Sequence, residues 1–138
     1  MKVPLEFYTR EDVIQISREL LGKILCTKLN GQITSVIITE TEAYAGVSDK
    51  ASHAYGGRRT KRTKPLYAQG GAVYVYLCYG IHHLFNVVVE DKGIASAVLI
   101  RAGLAYHGRE LIASRRGGRM DLQGPGKIGQ ALDISTVD

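Results

Sequence analysis

The chain has 138 residues and a formal charge of +5, with 45% hydrophobic and 22% charged residues. These values fit one globular domain with its own core, and they exclude disorder, collagen or a coiled coil as a description of the whole chain. Two cysteines, Cys26 and Cys78, cannot make a disulfide framework; the absence of CxxC, HExxH or a Cys/His quartet argues against a zinc site.

Thr9 to Gly22 reads as a helix, with Thr9 as its cap, Val13, Ile16 and Leu20 at helical spacing, and Gly22 as its stop. Ile24 to Leu29, then Asn30-Gly31, then Gln32 to Tyr44 reads as a hairpin, because Asn-Gly supplies the positive φ of a tight turn. Ala45 to Gln69 is a long polar connection, with a short helix expected near Asp49 to Ala54. Strands are expected at Ala72 to Tyr79, Leu84 to Glu90 and Ile94 to Ala102, the last two joined at Asp91-Lys92-Gly93. Tyr106 to Arg115 reads as a helix, and a short one is expected from Lys127 to Leu132. The expected class is α+β: a single domain, residues 1–138, with a curved antiparallel sheet flanked by helices.

Charge is distributed unevenly. No acid lies between Asp49 and Glu90, and the same window holds Lys50, Arg58, Arg59, Lys61, Arg62 and Lys64. Six of the eight tyrosines, Tyr44, Tyr55, Tyr67, Tyr74, Tyr76 and Tyr79, fall in or just before it. Cations attract phosphates and flat rings stack on bases, so this is a nucleic-acid footprint. The competing reading is a solvated basic loop beside tyrosines that merely favour strands. Pro65 to Val89 carries no charged residue, but its glycines, Asn86 and His82-His83 do not suit a membrane helix. The N-terminal region shows no signal-peptide pattern, so a cytoplasmic protein is expected, nucleoid-associated if bacterial.

Along the second hairpin strand, Val36, Ile38, Glu40, Glu42 and Tyr44 share one face in a regular strand. That face leads from core to two carboxylates and a ring. A strand-end carboxylate beside a loop with His53 could act as a general base, or be an exposed charge and no more. Tyr44 and His53 could sandwich a planar ligand. Tyr74 and Tyr76 share a strand face, where core packing is the commoner role. Asn86, inside an apolar run, is either structural glue or a ligand reader. Arg101 either snorkels to water or orients an anion. Gly124-Pro125-Gly126-Lys127 is not a P-loop, since Asp121 and Ile128 replace required residues.

Glu40-Thr41-Glu42-Ala43-Tyr44, Ala51-Ser52-His53, Gly56-Gly57-Arg58, Tyr74-Val75-Tyr76 with Tyr79-Gly80, Leu99-Ile100-Arg101-Ala102 and Gly124-Pro125-Gly126-Lys127 follow one another in this order. As a set they resemble the alkyladenine (3-methyladenine) DNA glycosylases, from about Pro4 to about Ile134. The resemblance implies excision of alkylated purines, 3-methyladenine and 7-methylguanine and in some members hypoxanthine, from damaged double-stranded DNA. In that reading Glu42 activates water for attack on C1′ and Arg101 helps hold that water. Tyr44 and Tyr76 stack on the flipped base, His53 closes the pocket, and Asn86 discriminates purines. Tyr79 fills the gap left in the duplex. Arg58, Arg59, Lys61, Arg62, Lys64 and Lys127 contact the DNA backbone. No metal, cofactor or membrane is implied, and a monomer is expected. Family members usually continue with further strands, so this chain reads as a shortened relative or a fragment.

Bottom-up chemistry agrees with that expectation. A cationic N-alkylpurine is already a good leaving group, and electron-rich rings favour it. No lysine stands out as a Schiff-base amine, so a monofunctional enzyme without strand cleavage is expected. The alternatives are a catalytically impaired DNA- or RNA-binding relative, a glycoside hydrolase using Glu40 and Glu42, and a structural RNA-binding sheet.

Overall fold

A computed structural model describes residues 2–136. Asn30 and Gly31, at φ 52° and 77°, turn the chain between β1 (Ile24–Leu29) and β2 (Gln32–Tyr44). Leu29 pairs with Gln32 and Ile24 with Ile37 in antiparallel register, so this hairpin forms as its Asn-Gly turn dictates. Three further strands follow: β3 (Val73–Cys78), β4 (His82–Val89) and β5 (Ser96–Ala105). The strand order is β1-β2-β5-β4-β3. The fold is α+β: the described residues form four short α-helices besides the five-stranded sheet.

Several boundaries differ from expectation, each for a local reason. The first expected helix is two: α1 (Leu5–Thr9) and α2 (Val13–Glu19). Thr9 does not cap α2; its hydroxyl donates back to the Glu6 carbonyl. Asp12 does the capping, its Oδ1 accepting the Gln15 N–H at 3.0 Å. No helix forms at 49–54. Asp49 instead accepts from the Ala45 and Ala51 amides at 2.9 Å each, which coils the chain into turns between 3₁₀ segments at Gly46–Ser48 and Tyr55–Gly57. A third 3₁₀ segment spans Lys64–Tyr67.

The strands β4 and β5 meet at Val89↔Ser96, beyond which Glu90, Gly93 and Ala95 all take positive φ. The connection is therefore wider than the three-residue turn expected at 91–93, and β5 starts and ends later than 94–102. Helix α3 (Arg109–Arg115) begins after Tyr106 because Tyr106 and His107 are held by Ser35. Gly108, at φ 70°, then enters the helix. The last helix, α4 (Pro125–Ala131), starts at a proline, the residue best suited to a first turn.

Contacts divide the chain into two compact units. The first comprises the described parts of Met1–Glu19, Glu42–Tyr74 and Asn86–Leu99. Its core includes Ile16, Leu66, Tyr67, Tyr74, Val88 and Val98, all at most 6% exposed. Gly70 sits where a Cβ would press on the Tyr8 and Glu90 carbonyls, and its N–H donates to the Glu90 carbonyl at 2.9 Å. The second unit comprises Leu20–Thr41, Val75–Phe85 and the described part of Ile100–Asp138. Its core is aliphatic: Val36, Ile100, Ile112, Ile128, Ala131 and Leu132 are at most 1% exposed.

Candidate active site

Strand β2 runs unbroken to Tyr44, and the bond between the Tyr44 and Glu42 side chains puts these two residues on one face, as alternation predicts. The two carboxylates are not equivalent. Glu40 is exposed, whereas Glu42 is half-buried. In the first unit, the Tyr44 hydroxyl donates to Glu42 Oε1 at 2.6 Å. That is the length of a charge-assisted O–H···O⁻ bond, which holds the carboxylate in one orientation. One side chain thus offers a ring and at the same time steers an acid two residues away.

His53, on the connection after β2, packs edge-on against Tyr74 with ring centroids 6.2 Å apart. Its Nδ1 lies 2.9 Å from the Tyr74 hydroxyl. The same hydroxyl is hydrogen-bonded by the Arg62 side chain. A guanidinium only donates, so the Tyr74 oxygen accepts from Arg62 and its proton is best spent on His53 Nδ1. That arrangement leaves the imidazole proton on Nε2. Burial lowers the His53 pKa, and the Arg62 and Arg58 charges lower it further. Burial raises that of Tyr74, against an opposing pull from Arg62. Tyr74, 4% exposed, is thus both core and support for His53. Sequence reasoning saw its shared face with Tyr76 but not this partnership, which joins residues 21 positions apart.

The basic connection is folded, not trailing. Thr63 is buried, and its hydroxyl donates to the Arg58 carbonyl while accepting from the Thr60 N–H. The Tyr67 hydroxyl donates to the same Arg58 carbonyl at 2.7 Å. Arg59 stacks over the Tyr67 ring at 3.9 Å. Arg58, Arg59, Lys61, Arg62 and Lys64 are all exposed. Asn86 is 1% exposed on β4, opposite Leu99 of β5.

The second unit holds Tyr76, Tyr79, Arg101 and Lys127. Tyr79, just past β3, is 91% exposed in a left-handed backbone conformation at φ 52°, with Gly80 following at φ 72°. Ile81 is 70% exposed beside it. The Tyr79 ring, held out at a hairpin tip, buries almost nothing within the protein. Lys127 pairs with Asp121 at 2.7 Å, which holds the Asp121 carboxyl below its ordinary pKa, a Gln123 backbone bond adding to the effect. Among the described residues no three His, Cys, Asp or Glu side chains gather as metal ligands, and no helix is long and apolar enough to cross a membrane.

A family model of methylpurine-DNA glycosylase (MPG) matches residues 6–138. A Chlamydia abortus protein named "Putative 3-methyladenine DNA glycosylase" is 47% identical over 138 residues, which cover 96% of this chain and 73% of that protein. Same-named proteins of Chlamydia pneumoniae and Desulfitobacterium hafniense are 50% and 45% identical, each covering 94% of this chain and 68% of their own length. The matched span includes both units, the Glu42–Tyr44 strand end, the basic connection and the exposed Tyr79 tip. The chain belongs to the methylpurine-DNA glycosylase family.

Proposed function

We propose that the chain excises alkylated purines from duplex DNA by hydrolysing the N-glycosidic bond, with Glu42 as the general base. The observation that carries this reading is the 2.6 Å bond from the Tyr44 hydroxyl to Glu42 Oε1. It couples an oriented carboxylate to an aromatic ring at a strand end, the two parts that base capture and water activation require. The relatives, named for 3-methyladenine, support the substrate class.

Each group has a chemical task. Ring faces at Tyr44 and Tyr76 favour an electron-poor cationic base over a neutral one. His53, neutral and protonated on Nε2, can donate to a base acceptor without bringing a positive charge against a cationic purine. Asn86 reads the purine edge through its amide. Arg101 steadies the carboxylate and its water. Tyr79 occupies the gap in the duplex when the nucleotide leaves the stack. Arg58, Arg59, Lys61, Arg62, Lys64 and Lys127 meet phosphates. The attacking nucleophile is water, not an amine, so the product is an intact strand with an abasic site.

The test is Glu42→Gln assayed on duplex containing 3-methyladenine or 7-methylguanine. The amide still accepts from Tyr44 but takes no proton from water. Lesion binding should persist and base release should fall by at least about 100-fold, the usual scale of a lost general base. Base release at the wild-type rate overturns the role of Glu42. Strand breaks without alkali treatment overturn the monofunctional mechanism. Lesion binding by the wild type with no base release would make the chain a binding relative instead.

A further inference from the structure

A concave site lies wholly within the second unit. It is a pocket of about 670 Å³ bordered by α3, α4 and the beginning of β4. Arg115, Arg116, Arg119 and Lys127 line it, together with His82 and His83; Asp133 is the one carboxylate among its lining residues. Nothing in the roles proposed above uses this concentration of arginines.

Arg116 is the unusual member. It is 4% exposed, yet no carboxylate among the described residues bonds to it. Its Nη1 donates to Gln130 Oε1 at 2.8 Å and its Nη2 to the Asp121 carbonyl at 2.9 Å, both neutral acceptors. Its Nε–H has no partner among the described residues. The nearby Asp121 carboxylate is taken by Lys127 at 2.7 Å. A buried guanidinium with an unbonded donor and no bonded counter-charge is costly, and an anion in the adjoining pocket offsets that cost.

The surroundings are shaped to leave space for one. Arg119 is tethered through Nε to the Arg116 carbonyl at 3.0 Å, which keeps its base beside the pocket. Arg115 is spent on the Thr34 hydroxyl and the Ala131 carbonyl, and so forms wall more than donor. His83 Nδ1 accepts the Thr136 N–H at 3.0 Å, so its proton resides on Nε2. Gly126 and Gly129 sit directly on the two histidines: a Cβ at 126 would lie 2.8 Å from His82 Nδ1. A Cβ at 129 would meet the His83 carbonyl, so α4 lies close against the start of β4.

We propose that this pocket binds a phosphate group, held by Arg119 and Lys127, with the unbalanced charge of the buried Arg116 guanidinium beside it. Planar guanidinium forks suit tetrahedral oxyanions, and the lining charge is net positive. Ile81, which lines the pocket, stands two residues from the exposed Tyr79, so a phosphodiester in a strand engaged by that tip is the source we assign. This assignment of source rests on the DNA reading above; the anion site itself does not.

The experiment has two arms. In the first, inorganic phosphate is titrated into arginine-labelled protein at constant ionic strength, and the Arg116 Nε–H NMR signal is followed. Saturable movement is expected, and it should vanish in Arg119→Ala/Lys127→Ala, whose two side chains are not core. In the second, binding to an undamaged duplex of about 20 base pairs is measured across salt; the double variant should lower the log–log slope by about 0.9, the value for one lost phosphate contact. Movement of the Arg116 signal with an unchanged slope keeps the phosphate site and overturns its assignment to the DNA backbone. A still Arg116 signal overturns the pocket, whatever the slope does. Failure of the wild type to bind duplex at any salt overturns the DNA reading and leaves the first arm decisive for the pocket.

Discussion

Replacing Tyr74 by Phe removes one oxygen from the core of the first unit and tests whether His53 is positioned by it. The ring remains, so packing changes little. Two hydrogen bonds go: the one shared with His53 Nδ1 at 2.9 Å and the one from Arg62. The first, between neutral and part-buried groups, is worth about 1 kcal/mol net. The second involves a charged but exposed guanidinium that water can re-solvate, which limits it to about 0.5–1 kcal/mol. The expected loss is therefore about 1.5–2 kcal/mol. With an unfolding entropy of about 2.1 cal/mol/K per residue, a chain of this length should melt about 5–7 °C lower. Urea unfolding of wild type, Tyr74→Phe, His53→Ala and the double variant gives the pairwise term directly. A coupling of about 0.5–1 kcal/mol is expected, and ¹⁵N shifts of His53 should show that the Nε2–H tautomer has lost its preference. Additivity within about 0.3 kcal/mol, together with an unchanged tautomer, would refute the reasoning.

Two further perturbations read different parts of the molecule. His53 should titrate below its ordinary 6.5, first because of burial and then because of Arg62 and Arg58, and Arg62→Gln should move it back upward in an NMR pH titration. Because the unfolded chain takes up this proton at higher pH than the native one, the stability His53 contributes is full above 6.5 and declines as pH falls below it; a wild-type His53 pKa above 6.5 would contradict this. Gly70→Ala should cost about 2–3 kcal/mol, since the new Cβ meets the fixed Tyr8 and Glu90 carbonyls and not a movable side chain. A change in chemical denaturation midpoint equivalent to less than about 0.5 kcal/mol would show that this backbone approach is not rigid.

The sequence by itself determined what depends on near neighbours. Asn30-Gly31 specifies the first hairpin because few residues tolerate two successive left-handed positions. Alternation from Val36 to Tyr44 specifies which side chains share the Glu42 face. The order of motifs and the acid-free, tyrosine-rich window carry the family resemblance and the choice of DNA as ligand. Thr9 misled because it and Asp12 are both good capping residues, and only backbone geometry shows that the chain breaks between them. Likewise Tyr106 has helical neighbours, but Ser35, 71 positions earlier, claims its backbone.

Only the tertiary structure decided what depends on distant partners. Glu40 and Glu42 are alike in sequence; burial and the Tyr44 hydroxyl make one of them distinct. Tyr74 could have been packing alone, until His53 and Arg62 converge on its oxygen. Arg116 is one of several arginines near Gly117-Gly118, and no pattern marks it. It is buried without a carboxylate partner among the described residues, and that unbalanced charge turns an ordinary basic stretch into a candidate phosphate pocket.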